Sequence, residues 1–418
     1  MVIRLSISQM MKKLFLISLF FLLTLYCSQK KEETKIQLSF WQFWTDPEIR
    51  PTIEKLVSEF EEENPGVKIN LTDLTWSDGH EKIVVAFSSK TAPDVLELGS
   101  DWVSEFSSEG VLMDVTEQAE KIKENYLMWE PVTYKGKIFG FPWILDTRVL
   151  FYNKHLMKEV GLDPQNFPQT WDELLDFCKK VNTLKPKAYG FGANSFERHR
   201  LYKKFLPFFW SNGGKILSSN WTESQINSFE GVQALEYYKK LTKQGLMDTQ
   251  RNLDERFKKN QIGFLISGGW LLSDIEKNHP ELDFGVSLMP KPKKDKGIPA
   301  SFAGGEYLVI NKDSKNKKEA IKFIKFMVKK ENCLKLCKTI GSASPSAKDA
   351  YLDPYYQNNK NLSVFQNQLR YAISPPAHPK WVYIEEIIEK AVENVMYDKK
   401  TPEQALDEAK IRIDRLLK

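Results

Sequence analysis

The chain has 418 residues, of which 42% are hydrophobic and 28% charged, a length that spans two or three domains at about 150 residues each. That composition is globular, which excludes wholesale disorder and a multi-span membrane fold. Of the net charge of +5, Arg4, Lys12 and Lys13 supply three, leaving +2 on the rest and no ground for a nucleic-acid partner. The five histidines stand singly, without ligand spacing, so no metal or other cofactor is expected.

At the amino terminus, Lys12-Lys13 precede Leu14–Tyr26, thirteen residues whose only polar members are Ser18 and Thr24. A bilayer span needs about 20 apolar residues, so residues 1–26 read as a secretory signal. Cys27 follows, and the chain turns polar at Gln29-Lys30-Lys31-Glu32-Glu33. A cysteine at that boundary resembles a bacterial lipoprotein processing site. Cys27 would be lipidated and 27–35 would be a linker, although Tyr26 is larger than the residue usual before such a cysteine. Plain secretion is the alternative. Either way the chain is expected to work outside the cytoplasmic membrane. Cys178, Cys333 and Cys337 lie on helical apolar faces and read as core thiols.

From Ile36 onward short apolar runs alternate with amphipathic helices, the pattern of an α/β fold with largely parallel sheets. Ile36–Trp44 reads as the first strand. Asp46-Pro47 supplies an N-cap and a first-turn proline to a helix with Ile49, Ile53, Leu56, Val57 and Phe60 on one face. Asn64-Pro65-Gly66 ends it. Strands follow at 67–71 and 95–98, the latter running into Gly99-Ser100-Asp101-Trp102. Two later helices carry capping boxes, Thr170-Trp-Asp-Glu173 and Thr401-Pro-Glu-Gln404. Lys291–Lys296 reads as a solvated loop.

Catalytic motifs are scarce. There is no G-x-S-x-G elbow and no P-loop, and Gly190-Phe-Gly192 lacks dinucleotide spacing. A glycosidase-like carboxylate pair stays open, because acids are plentiful and pairing depends on the fold. What recurs is an aromatic ring beside a polar or glycine turn. Examples are Trp44 with Asp46, Trp143 with Asp146, Trp210 with Gly213, Gly269 with Trp270, and His378-Pro-Lys-Trp381. Flat rings beside fixed hydrogen-bonding groups suit sugars, whose C–H faces stack while their hydroxyls need polar partners.

Together these segments resemble the extracellular solute-binding proteins of ATP-driven importers, in particular the sugar-binding group of maltose-binding-protein type. The resemblance is carried in order by Phe60-Glu-Glu-Glu-Asn-Pro-Gly-Val-Lys-Ile69, Ala92-Pro-Asp-Val95, Tyr134-Lys-Gly-Lys-Ile-Phe-Gly-Phe-Pro142, Leu150-Phe-Tyr-Asn-Lys154 and Pro168-Gln-Thr-Trp-Asp-Glu-Leu174. Asn212-Gly213-Gly214, Ile262-Gly263-Phe264, Gly268-Gly-Trp270 and a carboxy-terminal helix pair continue it to Leu417. It implies two α/β lobes with mixed, mostly parallel sheets, a multi-segment hinge and a ligand cleft between the lobes. Crossings are expected at 146–149, 268–271 and 333–344. Lobe one is then 36–146 plus 271–335, and lobe two 147–270 plus 336–418.

The implied function is a non-catalytic, monomeric receptor that captures a sugar or oligosaccharide and presents it to permease subunits in the membrane. Trp44, Trp210, Trp270 and Trp381 would stack on the ligand. Asp46, Asp101, Asp146 and Glu306 would accept from its hydroxyls, and Gly304-Gly305 would let backbone approach. Ser100 and Trp143, at strand carboxyl ends beyond which ligands of open α/β sheets bind, and Gly213 and Gly269, in the turns beside Trp210 and Trp270, complete the candidate lining. Glu306 reads equally as a solvated loop acid, and Arg370 is an alternative donor to an acidic ligand. Rival readings are a receptor for a glycerophosphodiester, sugar phosphate or other polyol derivative, a surface glycoside hydrolase, and a ligand-sensing partner of a signalling receptor.

Overall fold

The computed structural model describes residues 35–418 apart from Phe196 and Ser342. The signal segment 1–26, Cys27 and nearly all of the 27–35 linker lie outside the described residues. Among those described, no helix is long and apolar enough to cross a membrane.

The strands in chain order are β1 (Ile36–Gln42), β2 (Val67–Asp73), β3 (Val95–Gly99), β4 (Thr133–Tyr134), β5 (Lys137–Ile138), β6 (Gly140–Thr147) and β7 (Val149–Asn153). There follow β8 (Tyr189–Asn194), β9 (Gly245–Asp248), β10 (Ile262–Ser267), β11 (Phe284–Ser287), β12 (Ser301–Ile310), β13 (Ser344–Pro345) and β14 (Ala372–Ile373). They build two large sheets, while β4 and β5 pair separately as an antiparallel two-stranded ribbon. The first runs β13-β6-β12-β3-β1-β2 with β14 added on β12, and the second runs β11-β7-β10-β8-β9. Helices flank both, which makes a two-lobed α/β fold.

Parallel pairing holds where a helix separates the strands, as in β1 with β2 and β3, or β8 with β9 and β10. Such a crossover needs room for a helix. Where the chain passes straight between the lobes, the strands enter antiparallel: β6 against β12 in the first sheet, β7 against β10 and β11 in the second.

Each sheet is packed on both faces. The first core gathers Leu38, Phe40, Ile53, Leu56, Phe60 and Phe323, and continues through the hinge onto one face of the second sheet at Phe151, Phe257 and Leu265. The second gathers Leu150, Tyr238, Phe264, Ile388 and Leu406. Both capping boxes form, at Thr170 and Thr401. Asp46 does not cap: the helix begins at Arg50, one turn later, and Asp46 instead accepts from the Glu48 N–H at 2.9 Å.

Arg148 alone separates β6 in one sheet from β7 in the other. The later crossings differ from those drawn from the resemblance. The helix Gly269–Asn278 leans on the first lobe, with Leu271, Leu272 and Ile275 in its core and Ser273 Oγ donating to the Ile340 carbonyl at 3.2 Å. β11 then returns to pair with β7, so the chain passes back between Ser287 and Ser301. Likewise β13 still pairs with β6, and β14 with β12. The last passage therefore lies between Ile373 and Trp381, where the helix Trp381–Met396 joins the second core.

Candidate functional site

A cleft of about 600 Å³ lies between the sheets, within the range of small-molecule sites. The first lobe contributes the turn after β3 and the middle of β12. Ser100, 8% exposed, donates its backbone N–H to the Gly305 carbonyl at 2.9 Å, tying the two together. Gly305 has φ +146°, and a Cβ there would stand 2.1 Å from the Ile144 carbonyl oxygen. Only glycine fits, and the register shift between Glu306 and Tyr307 marks a bulge of the kind that re-aims a side chain.

The second lobe contributes the loop after β8, carrying Arg198, His199 and Arg200, Lys203 at the start of the helix Tyr202–Ser211, and the helix Gln250–Lys258 that follows β9. Trp270 completes the wall and is 38% exposed. Its indole folds back over Gly268, where an added Cβ would meet the ring at 2.0 Å. Asp254 fixes that ring: Oδ2 accepts from Trp270 Nε1 at 2.9 Å, while Oδ1 accepts from Gln250 Nε2 at 2.8 Å and Ser267 Oγ at 3.1 Å.

Opposite charges alternate along the lining. Arg148 pairs with Asp146, Lys258 with Glu255 and Asp274, and Lys203 with Asp101 at 3.7 Å. The Lys203–Asp101 pair bridges the lobes, as does Tyr202 Oη donating to Asp101 at 3.3 Å. Burial governs the titration of the floor. It pushes the Glu306 carboxyl well above the usual range, with the nearby Glu97 and Asp146 charges adding to it. It holds the Lys204 ammonium well below its ordinary value, helped by the neighbouring Arg148. Behind the Arg198–Arg200 loop, burial raises Glu385 to about 7, opposed by its hydrogen bond with His199. Among the described residues no group of His, Cys, Asp and Glu is arranged to hold a metal ion.

Of the expected lining, Ser100, Asp101, Asp146, Trp270, Gly305 and Glu306 border this cleft. The others are corrected. Trp143 is fully buried and packs edge-on against Phe40, because β6 is covered on both faces. Trp210 and Trp381 are 6% and 1% exposed and belong to the second core, Trp381 against Tyr202. Trp44 packs on the first core, and Asp46 is exposed outside the cleft. Gly213, at φ +93°, turns the chain after the helix Tyr202–Ser211 and borders a different depression. Gly304 and Gly269 lie one residue behind the lining; a Cβ on Gly304 would strike Phe302. Arg370 borders a separate groove of about 1110 Å³ with Trp129 and Ile373.

The basic wall was missed. Yet Glu197-Arg-His-Arg200 follows the carboxyl end of β8, and Gln250 follows that of β9, the same positional signal that singled out Ser100 and Asp101.

Residues 46–332 match the family model described as bacterial extracellular solute-binding protein. A putative binding protein of Brucella abortus is 27% identical over 379 residues, covering 88% of this chain and 90% of its own. The sn-glycerol-3-phosphate-binding periplasmic protein of Escherichia coli is 25% identical, covering 91% and 92%. Among solved structures, an ABC transporter solute-binding protein of Thermotoga lettingae bound with alpha-D-tagatose superposes with a TM-score of 0.80 at 27% identity, over 92% of this chain and 100% of that one.

Proposed function

From the chain's membership of the bacterial extracellular solute-binding proteins, an extracytoplasmic family, we propose that it captures a sugar or oligosaccharide in the interlobe cleft and hands it, chemically unchanged, to the membrane subunits of an ABC importer. The observation that carries this is the alternation of charge around an exposed ring. A hydroxyl both donates and accepts, so a sugar edge is matched by paired groups such as Arg148–Asp146 and Lys258–Asp274, and its C–H face by Trp270. The Thermotoga lettingae relative with its bound tagatose supports the same class.

A second reading, a phosphate ester such as a glycerophosphodiester, is favoured by the Escherichia coli relative and by Arg198, Arg200 and Arg251 on one wall, since arginine forks suit phosphate oxygens.

A thermal-shift screen of the purified protein against mono-, di- and oligosaccharides, polyols and sugar phosphates separates the two. Ligand at 100 times its Kd adds about 2.7 kcal/mol to native stability, a rise of a few degrees in Tm. A neutral sugar recovered intact supports the first reading, and a response confined to phosphate esters supports the second. Turnover of a glycoside would replace both with a hydrolase. We further propose that Cys27 carries a lipid anchor. Membrane partition and fatty-acid labelling in the producing cell should then both be lost in Cys27→Ser.

A further inference from the structure

Three lengths of chain that enter or leave the hinge meet at one side chain. Arg148 sits between β6 and β7, and its side chain is 8% exposed. Its guanidinium carbon lies 4.5 Å from the ring centroid of Trp270, which follows β10, and 5.5 Å from that of Phe302, which opens β12. Its carbonyl accepts from Ser301 Oγ at 2.6 Å. Nη1 donates to the Asp146 carboxylate and to the Thr147 carbonyl at 3.2 Å. Nε–H, by contrast, is buried and has no acceptor among the described residues.

A buried donor on a charged group is costly to leave unpaired, and an orphan of this kind calls for a partner outside the protein atoms. Arg148 is among the side chains that border the cleft, the place a bound solute would occupy. The surroundings favour an oxygen there. Lys204, 4% exposed and donating to the Ile266 carbonyl at 2.9 Å, adds a second basic group beside the Trp270 ring.

We infer that Arg148 is a ligand-binding residue: its Nε–H donates to an acceptor oxygen of the solute, and its packing against Trp270 and Phe302 links that bond to closure of the lobes. The inference rests on the solute-binding reading. Its oxygen comes from a sugar hydroxyl or ring, or from a phosphate ester; the chemistry at Nε is shared.

Calorimetric titration of the purified protein with D-tagatose, maltose, maltotetraose and glycerol 3-phosphate tests it, comparing wild type with Arg148→Lys and Arg148→Gln. Lysine keeps the charge but lacks the planar fork and the Nε donor. Both variants should bind the responding probe about 10- to 100-fold more weakly, with the ligand-free Tm of Arg148→Lys within a few degrees of wild type. The contraction on binding seen by small-angle scattering should shrink in Arg148→Lys even at saturating probe. Unchanged affinity and contraction in Arg148→Lys, with or without a fall in Tm, would make Arg148 a structural strut and overturn the inference. Which probe responds identifies the oxygen. Silence of the wild type to every probe removes the solute-binding reading itself, a failure visible before any variant is made.

Discussion

Trp270 and Trp143 show how differently two tryptophans beside turns are employed. Trp270 is held at its Nε1 by Asp254, is 38% exposed and borders the cleft. Trp270→Ala should therefore weaken ligand binding and leave the ligand-free Tm nearly unchanged, as calorimetry and thermal melts would report. Trp143 is fully buried, and Trp143→Ala should lower stability by about 3–5 kcal/mol, read by denaturant unfolding. Glu97 offers a test by pH. It is fully buried, accepts one hydrogen bond from the Phe43 N–H at 2.8 Å, and burial pushes its carboxyl from 4.5 to about 8. Between those values the unfolded chain has released a proton that the native one keeps, so stability falls as pH rises. Glu97→Gln removes this contribution. Melts between about pH 5 and pH 8 should show a shallower decline in the variant, with its advantage over wild type largest at the alkaline end.

At the scale of elements, the sequence announces what is local. The two capping boxes, the helix with Ile53, Leu56, Val57 and Phe60 inward, and the strand running into Ser100-Asp101 are all legible from spacing. Which face of a strand meets solvent is not local. β6 is covered on both sides, so an alternating reading has no exposed face to offer Trp143. The four-residue β11 pairs with β7, a strand far earlier in the chain, and no nearby residue signals that return. The bulge in β12 is a further case: Gly304-Gly305 was legible as a place of close backbone approach, but the approach is to Ile144 within the sheet. Gly305→Ala forces a Cβ into that carbonyl at an unfavourable φ. It should lower Tm and weaken ligand binding through Glu306, whereas Gly66→Ala, with nothing within 4 Å and no positive φ, should do neither.

The whole molecule is two lobes joined by three passages of chain, with Asp101 of one lobe reaching Tyr202 and Lys203 of the other. A ligand shifts such an assembly toward closure only by as much as it prefers the closed form. Small-angle scattering should therefore show contraction with solute, and none with a solute that leaves the melting curve unmoved. The interleaving of passages bears also on how the protein is made. The first sheet waits for β12 and β13, and the second core waits for the helices Trp381–Met396 and Pro402–Leu417. The second lobe cannot finish folding until that last stretch of chain is made, and pairings this distant in sequence form slowly. Late completion of one half of the fold is thus written into the connectivity itself: the second core stays open until the chain's final two helices arrive.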